Sequence, residues 1–134
     1  MKVIRRGVFE TNSSSTHSLC IGEGDLTDRV APDPQDGKVH VYSGEFGWEE
    51  NTYRHVADRL SYAYTHAKDH PELLERLAAV IKKHTGCEVA FHDDDGYIDH
   101  QSWEVPQAAF MDDETLAQFL FCPKSYFVTD NDNH

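Results

Sequence analysis

The stretch RRGVFETNSSSTHS, from Arg5 to Ser18, decides how the start of the chain folds. Residues 2–9 carry β-branched and aromatic side chains, which favour a strand. Residues 11–18 then contain only serine, threonine, asparagine and one histidine, and such side chains bond to nearby main chain in place of a regular ladder. The stretch therefore predicts a strand that ends in a hydroxyl-rich loop. A second strand, from Ser18 to Ile21, is expected to pair with the first.

The hydroxyl-rich loop has two interpretations. In the first, it offers hydroxyls, amides and the imidazole of His17 to a ligand, and Arg5 and Arg6 just before it neutralise an anion such as phosphate. In the second, it is a polar turn between two strands, stabilised by its own serine, threonine and asparagine hydrogen bonds. The composition of the loop alone favours the second, because serine-rich loops are common on protein surfaces.

The pattern R-x-G-x-F-E-T-N-S-S-S-x-H-S over residues 5–18 resembles the opening of a family of small, uncharacterised proteins of bacteriophages and bacteria. The segments YIDHQS, residues 97–102, and DND, residues 130–132, are also similar to the pattern of that family. The resemblance does not extend to the middle of the chain. It implies a phage-type protein with a site in the N-terminal stretch, and it implies no particular reaction.

Length and composition are typical of a folded, acidic protein of one domain. The chain has 134 residues, of which 39% are hydrophobic and 11% aromatic, and such a chain buries a core without disulfides or metals. Its formal net charge is −12, from 24 acidic and 12 basic residues. This charge disfavours binding to nucleic acid, since neutralisation of phosphates supplies most of that affinity. It favours solubility, or a partner that is itself basic.

Cysteine usage and hydropathy predict a cytoplasmic protein. Cys20, Cys87 and Cys122 lie far apart with no C-x-x-C spacing, which is typical of reduced thiols and not of a disulfide framework. No apolar run near Met1 is long enough for a signal peptide, and no stretch approaches the length of a membrane span. We therefore expect a cytoplasmic chain that does not enter a membrane.

The middle of the chain predicts two long helices that pack side by side. The first follows a cap at Asn51 or Thr52 and has an apolar stripe at helical spacing. Pro71 suits the first turn of the second helix, and Gly86 ends it. The stripe of the first helix consists of Tyr53, Val56, Ala57, Leu60 and Tyr64, and its polar face carries Arg54, Asp58 and Arg59.

The remaining segments predict strands and a short final helix. Strands are predicted over 39–42 and 87–92, and the sequence DDDG at 93–96 is a strong hairpin signal that leads to a return strand over 97–103. Asp112 begins the final helix, and a last strand follows it. The expected fold is therefore α+β, with a mainly antiparallel sheet packed by two long helices plus a short C-terminal helix.

The polar segments at the predicted strand ends suggest one shared pocket. It takes hydroxyls, amides and charges from the N-terminal stretch, and an imidazole and a hydroxyl from the hairpin. We expect the ligand to be a small anion, a nucleotide-like molecule or a metal ion. The predicted ligand-binding residues are Arg5, Glu10, Asn12, Ser13, Ser14, Ser15, His17, His100 and Ser102.

A metal site is one form of this pocket. Imidazole and carboxylate ligands suit a divalent ion such as magnesium, manganese, zinc or iron. Because side chains alternate along a strand, Asp99 and His100 point to opposite faces unless a bulge or a strand end intervenes. The candidate metal ligands are His17, His100, Asp99, Asp130 and Asp132.

Two further functions are compatible with the same sequence. A hydrolase would use a metal ion, or one of the serines as nucleophile with His17 or His100 as base and an aspartate to orient the base. No G-x-S-x-G motif supports this assignment. Alternatively, the acidic chain binds and modulates a host protein without catalysis. In that case the hydroxyls and imidazole form a structural polar network.

Overall fold

In a computed structural model, the chain forms a mixed α+β fold. The structure describes residues 2–6, 15–23, 26, 31–47, 50–98 and 104–131, and for 2–6, 15, 16, 104, 130 and 131 it describes the main chain. Within these residues the strands are β1 (Lys2–Arg6), β2 (Ser15–Ile21), β3 (Lys38–Tyr42), β4 (Glu45–Phe46), β5 (Asn51–Tyr53), β6 (Glu88–His92), β7 (Tyr97–Ile98) and β8 (Tyr126–Asn131). The helices are α1 (Val56–Ala67), α2 (Pro71–Thr85), α3 (Glu104–Ala109) and α4 (Asp113–Phe121).

An antiparallel sheet forms one layer of the fold, as predicted. Among the described strands its order is β1-β2-β8-β5. Leu19 of β2 lies opposite Phe127 of β8, and His17 lies opposite Thr129. All four side chains are buried. Because directly opposite residues point to the same face of a sheet, they form the face that packs on the helices.

Two parallel strand pairs, β3–β6 and β4–β7, complete the pairing among the described strands. Parallel strands need a long connection, and here the chain passes through β5, α1 and α2 before it returns. The predicted hairpin between residues 87–92 and 97–103 is therefore wrong. Strands β6 and β7 pair with β3 and β4 instead of with each other.

The acidic turn 93–96 is held against the loop between β3 and β4. The main-chain N–H groups of Asp94 and Gly96 donate to Ser43 Oγ over 2.7 and 3.2 Å. A Cβ atom on Gly96 would lie 2.6 Å from the backbone of Gly44, so glycine permits an approach that no other residue allows. These contacts guide the chain past β3, so that β7 continues beside β4 and does not fold back on β6.

The start of α1 also differs from the prediction. Asn51 and Thr52 do not cap the helix, because they belong to β5, and α1 begins at Val56. Tyr53, predicted to lie on the apolar stripe of the helix, stacks instead on Phe127 with ring centroids 4.5 Å apart. A tyrosine suits a strand position opposite another aromatic residue, and this contact favours the strand over another turn of helix.

The prediction of two long helices and one short helix is not confirmed. Helices α1 and α2 contact each other as expected, but they have 12 and 15 residues, close to the ordinary length in globular proteins. The sequence patterns did not predict α3, so the described part of the chain contains four helices. None of these four is long and apolar enough to cross a lipid bilayer.

Local sequence signals correctly predicted the ends of α2 and the start of α4. Pro71 lies at the first turn of α2, and Gly86 ends the helix in the left-handed conformation at φ 74°, which glycine adopts without a steric penalty. At the start of α4, the Asp112 carboxylate accepts a hydrogen bond from the Thr115 N–H over 2.7 Å. This bond satisfies one of the N–H groups that a helix leaves unpaired in its first turn.

Aromatic rings join the sheet to the helices at the centre of the core. Phe127 of β8 stacks on Tyr62 of α1, with centroids 4.2 Å apart and an interplanar angle of 25°. Phe46 of β4 meets both rings edge-on, 5.4 Å from Phe127 and 5.2 Å from Tyr62. Phe119 of α4 lies 6.2 Å from Phe127. Stacked and edge-to-face pairs are favourable aromatic geometries, so this aromatic cluster ties β4, β8, α1 and α4 together.

Arg59, predicted to lie on the polar face of α1, is buried with 1% of its surface exposed. Its Nη1 atom donates to the main-chain carbonyls of Phe119 and Cys122, over 3.1 and 2.5 Å, at the end of α4. Desolvation by burial lowers the pKa of Arg59 to about 10, so the side chain remains charged at neutral pH. The prediction of an exposed Arg59 is therefore wrong, because these carbonyls supply a buried partner for the charge.

Replacement of Phe127 by alanine should lower the free energy of unfolding by about 3–5 kcal/mol, because it removes a fully buried ring and leaves a cavity. Chemical denaturation followed by circular dichroism measures the change. Met111→Ala, at a side chain that is 64% exposed, is the large-to-small control and should change stability by less than about 0.5 kcal/mol. Equal losses in the two variants would show that Phe127 is not central to the core.

Candidate functional site

The strand register brings two of the predicted polar segments together at one end of the main sheet. Strand β1 ends where β2 begins, with Arg6 opposite His17. Strand β2 begins where β8 ends, with Thr16 opposite Asp130. The Cα atoms of directly opposite residues in antiparallel strands lie about 4.5–5.5 Å apart. The N-terminal stretch and the C-terminal segment, at opposite ends of the sequence, therefore meet at the same end of the sheet.

One row of residues crosses the described strands of the main sheet at this end. Arg6, His17, Thr129 and Asn51 are directly opposite one another in neighbouring strands. A shallow depression of about 470 Å³ borders the row on β5 and β8. Its lining is mostly polar and consists of Glu50, Asn51, Thr52, Val128 and Thr129. The end of the sheet thus has room beside it for a small polar ligand.

His17 has a structural role in the core. Its side chain is 1% exposed, and Nδ1 lies 2.9 Å from the hydroxyl of Tyr62, in a hydrogen bond between β2 and α1. Burial raises the pKa of the Tyr62 hydroxyl, so the phenol keeps its proton at neutral pH. Depending on the tautomer of His17, the phenol donates to Nδ1 or Nδ1–H donates to the phenol oxygen. In both cases the ring faces α1, and ligand binding by His17 stays a prediction.

The other predicted site residues are described by their main chain or lie outside the described residues. Arg5 lies in β1, Ser15 in β2 and Asp130 in β8. The predicted site residues outside the described part of the chain are Glu10, Asn12, Ser13, Ser14, Asp99, His100, Ser102 and Asp132. Their binding of a ligand, and the action of a serine as nucleophile, therefore stay predictions.

Contacts within the core connect Ile98 of β7 to His17. Ile98, the last described residue before segment 99–102, pairs with Phe46 of β4. The Phe46 ring lies 5.2 Å from the Tyr62 ring, and the Tyr62 hydroxyl is bonded to His17. This chain of contacts is compatible with the predicted convergence of the 97–102 segment and the N-terminal stretch.

The predicted metal site has one ligand with a described side chain, His17. Within the described residues, no group of three or more His, Cys, Asp or Glu side chains is arranged to hold a metal ion. The other predicted ligands are Asp99, His100, Asp130 and Asp132, of which Asp130 is described by its main chain alone. A metal ion at this end of the sheet therefore stays a prediction.

Two adjoining grooves beside α4 were not predicted from the sequence. The first, of about 460 Å³, lies between α2 and α4, and its apolar part is lined by Leu26, Ala79, Val80 and Ala117. The second, of about 370 Å³, lies between α4 and the end of β2. The grooves share Glu114 and Gln118. Their carboxylates come from Glu23, Asp112, Asp113 and Glu114, and Lys83 and His84 of α2 also line the first groove.

The acidic run 112–114 was the available sequence signal for these grooves. It predicts the start of a helix, since acidic residues interact favourably with the helix N-terminus, and this prediction is correct for Asp112. The acidic residues 112–114 also line the grooves, but the opposite walls come from Glu23 and α2, which lie in distant parts of the sequence. Such an arrangement follows from tertiary structure and not from a local pattern.

Comparisons of the chain with protein-family models, with curated proteins and with solved structures found no match. The resemblance to small phage and bacterial proteins, carried by residues 5–18, 97–102 and 130–132, therefore stays a prediction, as does the cytoplasmic location.

Replacement of Tyr62 by phenylalanine should change how stability depends on pH. Because burial raises the pKa of Tyr62 in the folded state, its stabilising effect is complete below the ordinary tyrosine pKa. Above about pH 10 the effect is lost at up to about 1.4 kcal/mol per pH unit. At pH 7 the variant loses its hydrogen bond to His17, at a cost of about 1 kcal/mol. Above pH 10 it should decline less steeply than the wild type.

Denaturant unfolding between pH 7 and pH 11 measures this difference. Tyr97→Phe is the matched control, because Tyr97 is among the exposed large side chains, and it should follow the wild type at every pH. Equal alkaline slopes for the wild type and Tyr62→Phe would mean that Tyr62 is accessible to solvent. The buried contact with His17 would then be wrong.

Proposed function

We propose that the end of the main sheet where β1, β2 and β8 meet binds a small anionic ligand, such as phosphate or a nucleotide-like molecule. The supporting observation is the register that pairs Arg6 with His17 and Thr16 with Asp130. It brings the main chain of two adjacent arginines, Arg5 and Arg6, beside the hydroxyl-bearing start of β2. Guanidinium groups bind phosphate through charge-assisted bidentate hydrogen bonds, and hydroxyls supply further donors.

Local positive charge is essential for such a site, because the chain as a whole repels anions. Its net charge is −12, and it has 12 lysine and arginine residues in total. Exposed charges are screened beyond about 8 Å at physiological ionic strength, so an arginine next to the ligand outweighs acids farther away. Because adjacent strand residues point to opposite faces of a sheet, Arg5 and Arg6 are alternative candidates for this role.

The sheet end also offers a rigid frame. Strand β2 is paired on both sides, by β1 and β8, and the hydrogen bond between His17 and Tyr62 anchors it to α1. Binding groups on a preorganised frame lose less conformational entropy when a ligand arrives. Asp130, a predicted metal ligand, would supply a carboxylate to a divalent cation bound to the phosphate.

Thermal unfolding with inorganic phosphate, ADP, or ADP with Mg²⁺ tests this proposal. A ligand that binds the folded state alone stabilises it by about 2.7 kcal/mol at a concentration of 100 times Kd. We expect the wild type to show a rise in Tm, and Arg5→Gln or Arg6→Gln to lose most of it. Arg76→Gln is the charge-matched control, since Arg76 forms an exposed ion pair with Asp113, and it should keep the rise.

Two results would contradict the anion site. The first is the absence of a shift in Tm with all three ligands in the wild type. The second is an equal loss of the shift in Arg5→Gln, Arg6→Gln and Arg76→Gln, which would indicate a general effect of charge and no defined site.

The acidic grooves beside α4 favour a second candidate function, binding of a basic segment of another protein without catalysis. The second groove is lined by the carboxylates of Glu23, Asp112 and Glu114 and by no basic residue. The adjoining first groove adds the apolar part, with Lys83 and His84 on its α2 side. The net charge of −12 attracts a basic partner at long range and raises its rate of association. An amphipathic segment with lysine or arginine on one face and aliphatic residues on the other matches this surface.

Fluorescence anisotropy with a labelled amphipathic lysine-rich peptide tests the second candidate. Exposed charge pairs contribute about 0.2–1 kcal/mol each, so the double variant Asp112→Asn and Glu114→Gln should weaken binding roughly two- to thirtyfold. Asparagine still caps a helix, so α4 should remain folded. Asp94→Asn with Asp95→Asn, in the exposed turn after β6, is the charge-matched control. Equal affinities in the two double variants would exclude the grooves as the binding surface.

A further inference from the structure

His40 and His92 form a pair of imidazoles on the parallel strands β3 and β6. In β3 the exposed or half-buried residues alternate with Val39 and Val41, which are buried in the core. His92 is paired in register with Tyr42, the residue two positions after His40. Nδ1 of His40 lies 2.8 Å from Nε2 of His92. The parallel ladder therefore holds two metal-binding nitrogens side by side on the outer face of this strand pair.

A main-chain carbonyl orients the first imidazole. Nε2 of His40 lies 3.2 Å from the carbonyl oxygen of Gln35. A carbonyl accepts hydrogen bonds and does not donate them, so Nε2 carries the ring proton and Nδ1 presents its lone pair toward His92. A histidine that ligates a metal usually donates its other ring N–H to a carbonyl or carboxylate in this way.

The second imidazole is held by ring stacking. Tyr42 stacks on His92 with centroids 4.6 Å apart and an interplanar angle of 17°. The ring centroids of His40 and His92 are 5.1 Å apart, and their planes are inclined by 20°. The phenol ring limits the rotation of His92. Both nitrogens are thus positioned before any ion arrives, which reduces the entropy lost on binding.

We propose that His40 and His92 are a two-histidine binding site for a divalent transition-metal ion, Ni²⁺ or Cu²⁺. At metal–nitrogen distances of about 2.0–2.1 Å, two nitrogens 2.8 Å apart subtend an angle of about 84–89° at the ion. Adjacent ligands of square-planar or octahedral Cu²⁺ and Ni²⁺ are separated by about 90°, whereas tetrahedral zinc ligands are about 109° apart. The spacing of the two nitrogens therefore fits the first two ions, and the rings turn out of their mutual hydrogen bond so that both lone pairs converge on the ion.

Metal binding replaces the hydrogen bond between the two rings. His92 then presents the lone pair of Nε2 and carries its proton on Nδ1, so the neutral pair needs only a change of tautomer through solvent. No third His, Cys, Asp or Glu completes a metal-binding group in the described part of the chain. Water, or a donor atom from another molecule, would fill the remaining coordination positions. The site is on β3 and β6, which do not belong to the main sheet, so it is independent of the proposed anion site.

Isothermal titration of the tag-free chain with NiCl₂ tests the proposal. The chain has nine histidines, so the comparison between variants identifies the site. Since loss of an outer-shell partner of a ligand already costs about 10–100-fold in affinity, loss of His40 or His92 should cost at least about tenfold. His55→Gln is the control, because His55 is exposed and makes no side-chain capping bond, and it should bind like the wild type. Equal affinities in His40→Gln, His92→Gln and the wild type would overturn the proposal.

A spectroscopic measurement on the unmodified chain does not depend on the folding of the variants. With less than one equivalent of Cu²⁺, the imidazole proton resonances of His40 and His92 should broaden before those of other histidines, and the electron paramagnetic resonance spectrum should show coupling to two imidazole nitrogens. Broadening that begins at other histidines, or coupling to a single nitrogen, would overturn the two-histidine site.

Discussion

The buried side chain of Tyr62 is the contact on which the arrangement of sheet and helices depends. Its ring stacks on Phe127 at 4.2 Å, and its hydroxyl is hydrogen-bonded to His17 at 2.9 Å. A buried phenol needs such a partner, because an unpaired hydroxyl in a core costs about 1–3 kcal/mol. The same side chain thus connects α1 to β8 by packing and to β2 by a polar bond. His17, which the sequence suggested as a ligand-binding group, is the hydrogen-bond partner of this buried hydroxyl. The strand pairs on either side of His17 define the candidate site.

A second buried polar group, Arg59, forms hydrogen bonds with carbonyl groups at the C-terminal end of α4. The last carbonyls of a helix lack intrahelical partners and carry the negative end of the helix dipole. The guanidinium of Arg59 donates to the carbonyls of Phe119 and Cys122, and Cys122 also accepts from the Ser125 N–H, so the buried charge has polar partners inside the core. Burial lowers the pKa of Arg59 but leaves it protonated at neutral pH. Helices α1 and α4 are consequently joined by polar bonds as well as by aromatic packing.

The sequence predicted those features that depend on neighbouring residues. Pro71, Gly86 and Asp112 act through their own backbone or cap geometry, and the helix ends they indicate are correct. The hairpin signal at 93–96 failed, because Ser43 and Gly44, more than 50 residues earlier in the chain, contact the turn and direct β7 to β4. The burial of Arg59 was missed for the same reason, as its partners follow 60 residues later. For the candidate site, the pairing of β1 with β2 was predictable from their proximity in sequence, whereas the adjacent position of β8 was not.

The net charge of the chain determines how different ligands would be recognised. A net charge of −12 attracts a metal ion or a basic peptide from a distance and repels an anion, and salt screens both effects beyond about 8–10 Å. An anion at the proposed site would therefore gain its affinity from short-range bidentate contacts with an arginine, for which a lysine of equal charge is a poor substitute. Binding to His40 and His92, by contrast, needs neutral imidazole nitrogens and gains from the surrounding acids. One acidic fold can in this way support the proposed anion site at its main sheet and the proposed cation site on a separate strand pair, because each depends on its own short-range contacts.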